Sequence, residues 1–391
     1  MGWTRFLARA AALLASALFL AGCGKDDPKD PIVPELPSGW QTTFAAGSMA
    51  GGNSVVQTAD GGYAIAGWTR DATADLISSV LLLRTDDSGN LLWKKVFEAP
   101  YDARGVSVLQ TPDGGYLVLA NYLGHSGEFW LIRTDSDGNM LWNQFKGYSD
   151  RDEAAEEALM TADGGYAFIG TTHHDNTRDV WLLRTGSNGE SRWNRTLGYS
   201  DSEEIGSSLQ QTADGGYLLV GYTTRAEGPH VWLVKTFADG STHWHETIDI
   251  GEPATGVSIC KTADGAYVIM AEVGQMLSDQ RQIQLFRYDD AGHELWRAAH
   301  DSPAYYTGGA VHQTGDGGFM VATSRQPSMS NFGDFCLIRF DGAGQTLWSK
   351  TYGAGFCQSG IQTADGGYIL CGDNATSTRI RLVKTDPDGN V

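Results

Sequence analysis

The chain has 391 residues and a net charge of −19, with 50 Gly, 11 Pro, 12 Trp, 15 Tyr and 14 Phe. Glycine at about one residue in eight, beside so many aromatics, excludes a disordered or collagen-like chain and implies tight turns between short strands. The acidic balance argues against nucleic acid and anionic membrane surfaces as partners.

The N-terminus is an address. Arg5 and Arg9 form a basic start, Ala10 to Leu20 an apolar run, and small residues precede Cys23. Such an order defines a secretory signal, and a run of about eleven residues is too short to span a bilayer as a helix. The ending Leu20-Ala21-Gly22-Cys23 resembles the lipobox of bacterial lipoproteins. The resemblance implies removal of residues 1–22 and acylation of Cys23, giving a cell-envelope protein held by lipid. Gly24 after the Cys favours outer-membrane sorting. Lys25-Asp26-Asp27 is similar to the surface-export signal of some Bacteroidota lipoproteins, and leaves the periplasmic and surface faces both open. Pro28, Pro31, Pro34 and Pro37 then recur at every third position. They favour an extended tether over residues 24–38, about 45 Å long at about 3.1 Å per residue.

Beyond the tether the chain repeats. Asp-Gly-Gly-Tyr or a near variant begins at Asp60, Asp113, Asp163, Asp214, Asp264, Asp316 and Asp365, at intervals of 49 to 53 residues. A second motif follows each, as in Trp130-Leu131-Ile132-Arg133-Thr134-Asp135-Ser136-Asp137-Gly138-Asn139-Met140-Leu141-Trp142, and its terminal Trp recurs as Trp93, Trp142, Trp193, Trp244, Trp296 and Trp348. In the fourth unit 207–212, 217–221, 231–235 and the Trp-containing segment read as four strands. The link between the first two strands fits a type I turn followed by a left-handed glycine. Ala266 in place of the second Gly implies that only the first needs positive φ. Asp-Ser-Asp-Gly-Asn closes the second hairpin by similar logic, so Asp135 to Asn139 reads as a turn. As a calcium loop its Gly falls too early, and it has no Glu at the twelfth position.

Seven units of about fifty residues with four strands each predict an all-β, seven-bladed β-propeller over residues 39–391. A parallel β-helix has shorter repeats and lacks paired hairpins. The seventh unit stops before its outer strand and Trp, and Gly39-Trp40-Gln41-Thr42-Thr43-Phe44 matches the missing piece. Residues 39–45 are therefore expected to complete blade 7 and close the ring. The alternative is a stray half-unit at each end.

The Leu-Ile-Arg-Thr-Asp-x-Asp-Gly-Asn-x-Leu-Trp pattern is similar to the tryptophan-docking motif of quinoprotein alcohol dehydrogenase-like propellers, and the full unit resembles repeats of uncharacterised secreted propellers. The resemblance covers 39–391. It implies that Trp40, Trp93, Trp142, Trp193, Trp244, Trp296 and Trp348 pack between blades. Quinone-dependent dehydrogenases have eight blades and an adjacent Cys pair; this chain has seven units and no such pair. No cofactor is carried over and none is expected.

The second-to-third loops and the blade links share one face and vary among units, which makes that face the binding candidate. Two adjacent links there are acidic: Asp150, Asp152 and Glu153, followed by Glu156 and Glu157, and then Asp201, Glu203 and Glu204. Their oxygens suit Ca²⁺ or a basic ligand; the alternatives are a solvated rim or carboxylates that bind nearby backbone N–H groups. Loop tyrosines Tyr101, Tyr122, Tyr148, Tyr199, Tyr305 and Tyr306 suit either sugar stacking or packing between blades. His173-His174 and His243/His245 are two-ligand sets, which do not make a metal site. Motifs for a serine nucleophile elbow, a zinc protease and a phosphate loop are absent. Cys260, Cys336, Cys357 and Cys371 are expected as buried free thiols.

The leading expectation is a monomeric propeller that binds an envelope protein or glycan without catalysis. The alternatives are a polysaccharide hydrolase or lyase with carboxylates at the channel mouth, and a structural part of an envelope complex. The small channel-lining residues Ser54, Ser107, Ser208, Ser258 and Ser359 argue against the enzyme.

Overall fold

The computed structural model describes residues 39–391 except 73–76, 125–126, 175–176, 276–280, 301, 303 and 328–332. The signal, Cys23 and the tether lie outside the described residues. The described residues form strands and no helix.

Five units each build one four-stranded antiparallel sheet, in sequential order. In the second unit these strands are Asp102–Gln110, Tyr116–Leu123, Gly127–Thr134 and Met140–Lys146. A further sheet has seven strands. There the 17-residue strand Thr346–Gln362 pairs with Asp334–Phe340 through its first half and with Tyr368–Asn374 through its second. At its far edge Trp40–Phe44 pairs antiparallel with Ile380–Thr385, Trp40 opposite Lys384 and Phe44 opposite Ile380. The architecture is that of a repeat-built β-propeller fold.

Turn chemistry explains why the two motifs recur. The first Gly of each Asp-Gly-Gly has positive φ, for example 83° at Gly114 and 84° at Gly215, where a side chain would be strained. The second Gly has a different reason. A Cβ at Gly115 would run into the Thr134 carbonyl and the Arg133 guanidinium. That guanidinium is buried under the turn and holds Asp113 at 2.5 Å. Ala266 tests this in the native sequence: its partner Arg287 swings outward to 18% side-chain exposure, against 4–8% for Arg84, Arg133, Arg184 and Arg339. Asp135 forms a turn, as its spacing implies, with Oδ1 accepting the N–H groups of Asp137 and Asn139 at 3.0 and 2.8 Å.

Contacts between units repeat with the sequence. Trp93 meets Tyr116 of the next unit edge-on at 5.8 Å, Trp193 meets Tyr217 at 5.9 Å, and Trp348 meets Tyr368 at 6.1 Å. Trp40, from the N-terminal strand, meets Tyr63 in the same way at 5.9 Å. On the inner strands a serine hydroxyl accepts a backbone N–H of the following unit: Ser54 from Val108 and Ser208 from Ile259, each at 3.2 Å. The last and first units share this bond, Val55 N–H to Ser359 Oγ at 3.4 Å. They also share the glutamine-to-turn bond, Ala364 N–H to Gln57 Oε1 at 2.8 Å, matching Ala162 to Gln211.

Every first strand carries a register break. It falls between Gly105 and Ser107, Ala155 and Glu157, and Gly206 and Ser208, with equivalents in the other units. A bulge re-aims the skipped side chain. The skipped Asn53, Val106, Glu156, Ser207, Val257 and Gln358 all line one open cavity.

Candidate functional site

The acidic links divide by burial. Glu153 and Glu204 are buried at 2% and 0% exposure. Each carboxylate ties a blade link to its own second strand. Glu153 accepts the Tyr148 N–H at 3.1 Å and the Thr172 hydroxyl at 2.9 Å. Glu204 accepts the Tyr199 N–H at 2.9 Å, the Thr223 hydroxyl at 2.7 Å and the Ser202 hydroxyl. Burial nevertheless pushes the Glu153 carboxyl up to about 7, against those hydrogen bonds.

The other four predicted residues lie nearer solvent. Asp152 accepts the Gly127 N–H at 2.9 Å, and Asp150 faces His174 at 3.7 Å. Asp201 lines a shallow recess with Tyr199, Ser202 and 223–226, while Glu203 is half-buried and acts electrostatically on Tyr222. Among the described residues no three His, Cys, Asp or Glu side chains come together as metal ligands.

The loop tyrosines mostly pack inward. The Tyr148 hydroxyl donates to Asn194 Oδ1 at 2.5 Å, and its ring lies 5.7 Å from Trp181. Tyr199 meets His245 Nδ1 at 2.6 Å, and Tyr306 meets His300 Nε2 at 3.2 Å. Tyr101 is 38% exposed, set edge-on against Tyr122 at 5.9 Å. The four cysteines are buried and free; Cys357 stands opposite Gly372, and Cys371 opposite Ser359. Burial pushes the Cys260 thiol up to about 12 and Cys336 up to about 11.

A cavity of about 430 Å³ lies at the inner strands, and all seven units contribute to it. Its wall includes Ser54, Ser107, Ser208, Ser258 and Ser359, each six residues before its turn Asp. That offset falls on Glu157 in the third unit and on Ala310 in the sixth. Glu157 does the serine's work: its Oε2 accepts the Leu209 N–H at 3.0 Å, with a further bond from Ser208. Glu156 is the skipped residue of that bulge. Its side chain is exposed to the open space of the cavity, and the desolvating surroundings raise both carboxyls to about 7. Tyr222 lines the same cavity and feels the Glu156 charge. The signal for this pair was present in the sequence as the offset from Asp163, hidden because the acids read as part of the exposed link.

No protein-family description fits the sequence, and no curated protein is similar to it in sequence. Solved structures are similar in fold. A protein of unknown function from Dyadobacter fermentans matches with a TM-score of 0.52 at 9% identity, over 89% of this chain and 99% of that one. The Pan2 WD40 domain of Neurospora crassa matches with a TM-score of 0.56 at 11% identity, over 85% and 89%. At these identities the likeness defines the class alone: a β-propeller-type repeat protein.

Proposed function

We propose that this chain is a seven-bladed propeller, closed by Trp40–Phe44 as the outer strand of the last blade and lipid-anchored through Cys23 in a bacterial envelope. On this reading its variable rim binds a protein or glycan without catalysing a reaction. One observation carries the binding reading: the two faces differ in what their polar groups have left to do. On the turn face the carboxylates are consumed internally, Asp60, Asp113, Asp163, Asp214, Asp264, Asp316 and Asp365 each accepting the hydroxyl two residues before it. On the opposite rim the exposed Asp201 and Tyr101 belong to no such repeated bond, while Asp150 faces Arg151 and His174. Closure is supported by the Gln57 and Ser359 bonds, which give the last and first units the contacts that join consecutive ones.

The non-catalytic reading rests on Glu157. A glycosidase needs two carboxyl groups flanking the scissile bond, whereas Glu157 is committed to Leu209 and Ser208, leaving Glu156 alone in the cavity.

The test is the thermal midpoint of the full chain against a panel of cell-surface and plant glycans, each with calcium and with chelator. A ligand at about a hundred times its dissociation constant stabilises the native state by roughly 2.7 kcal/mol. A selective shift lost in Tyr101→Ala or Asp201→Asn supports the glycan form. A flat panel overturns that form and directs the search to protein partners. Cys23→Ala is expected to abolish incorporation of labelled palmitate and release the chain from membranes; unchanged labelling overturns the anchor.

A further inference from the structure

Exposed apolar side chains are not scattered over this surface. Among the described residues, eight of the twelve large hydrophobic side chains that are exposed lie in the turns between third and fourth strands or within two residues after them. A second register break puts them there. It skips the residue before each tryptophan, namely Leu92, Leu141, Arg192, His243, Leu295 and Leu347. A bulge turns such a residue out of the ladder, and the four leucines are 52–58% exposed. Arg192 instead bonds Asp163, and His243 packs on Phe237 at 4.5 Å. The fold therefore accepts a polar residue at this position, and packing gives no reason for four leucines in water. The turns lie side by side: Gly138 has no room for a Cβ beneath Trp93 of the preceding unit, nor Gly189 beneath Trp142, nor Gly89 beneath Trp40. Gly39, where residues 1–38 join the fold, lies against Asn390 and Val391 at one of these turns.

We propose that this turn face rests on the membrane that anchors the chain, with the leucines entering the boundary between headgroups and acyl chains of a zwitterionic lipid. The inference rests on the acyl anchor at Cys23, and not on the rim reading. Two observations choose the occupant. The first is where the N-terminal segment meets the fold: a lipid on Cys23 approaches through residues 24–38, which end beside these turns. A tether of about 45 Å gives the face an effective concentration toward the bilayer of about millimolar. A shallow contact too weak to recruit an untethered chain is then populated. The second is charge. The acids of the first-to-second turns are bonded within their turns, whereas Asp87, Asp137 and Asp388 stand exposed at the tips of the outer turns. Such a surface attracts the ammonium of phosphatidylethanolamine and is repelled by the net negative charge of phosphatidylglycerol.

The test uses the mature lipidated chain reconstituted in phosphatidylethanolamine–phosphatidylcholine vesicles. Leu141→Cys is labelled with the polarity-sensitive dye NBD, Asp201→Cys on the opposite rim is the control, and wild type shows whether the buried thiols take label. With a shallow doxyl-lipid quencher, emission from position 141 is expected to fall by about half, as for a group at the headgroup–acyl boundary. Emission from position 201 is expected to stay unchanged. Adding Leu92→Glu, Leu295→Glu and Leu347→Glu is expected to remove the quenching at 141, and phosphatidylglycerol-rich vesicles to reduce it. Equal quenching at 141 and 201 overturns the proposal, as does quenching that survives the three glutamates. A blue shift at 141 in the absence of lipid also overturns it, and identifies a second copy as the cover. The contrast between 141 and 201 remains decisive if the triple variant folds poorly. Flotation of the same sample reads the anchor separately. Chains that float with the vesicles but show no quenching at 141 overturn the docking and keep the anchor, whereas chains that fail to float overturn both.

Discussion

Glu204→Ala distinguishes a carboxylate that builds the link from one that awaits a ligand. Glu204 is fully buried and accepts the Tyr199 N–H at 2.9 Å, the Thr223 hydroxyl at 2.7 Å and the Ser202 hydroxyl. The hydroxyls can rotate toward other acceptors, but the Tyr199 N–H cannot, and an orphaned buried donor costs about 1–3 kcal/mol. Losing the packed atoms of the side chain adds about 1 kcal/mol. The expected loss is therefore about 3 kcal/mol. For a domain of this size each kcal/mol lowers the midpoint by about 2 °C, so tryptophan-fluorescence melting of the variant should fall by about 5–8 °C. Glu204→Gln, which keeps one acceptor, should lose less than half of that. Asp201→Asn, three residues earlier on the same link but exposed, should leave the midpoint unchanged. If Glu204→Ala melts within a degree of wild type, the carboxylate does not hold the link and the structural argument fails.

Three further outcomes are expected. Burial raises Glu153 and Glu157 from an ordinary 4.5 to about 7, so the folded chain holds extra protons between those values. Their contribution to stability is complete below about 4.5 and is lost as pH rises through 7. Asp113 and Asp214, held at about 2, act oppositely and lose their contribution as pH falls below the ordinary 3.8. Glu157→Ser restores the residue that five other units use, and should raise the melting midpoint at pH 8 more than at pH 5; an equal shift at both refutes the burial reading. Gly115→Ala should displace Arg133 from the Thr134 carbonyl and cost about 1–3 kcal/mol, measured as a lowered urea midpoint; no change would mean that Arg133 turns outward freely, as Arg287 does. The four buried thiols should resist a thiol-reactive dye in the native state and react only on unfolding, because burial disfavours the thiolate. Rapid native labelling would contradict their enclosure.

The sequence alone determined the repeat, the four-strand unit and the turn chemistry, because these depend on residues a few positions apart. Asp113, Gly114 and Gly115 specify their turn locally, and Trp142 closes a motif that begins at Trp130. The match of Trp40 to the other tryptophans also gave the expectation that Trp40–Phe44 would lie beside the last unit, and that strand pairs with Ile380–Thr385. Tertiary structure decided what each acid does. Asp150, Asp152 and Glu153 look alike in sequence, yet alternation along a strand turns Glu153 inward to Thr172 and leaves Asp152 exposed. One skipped residue at the bulge sends Glu156 into the cavity and Glu157 across to Leu209. Whether a carboxylate stands in water, in a hydrogen-bonded socket or at the wall of an open cavity depends on which distant strand packs over it, and units about fifty residues apart meet only in the folded chain.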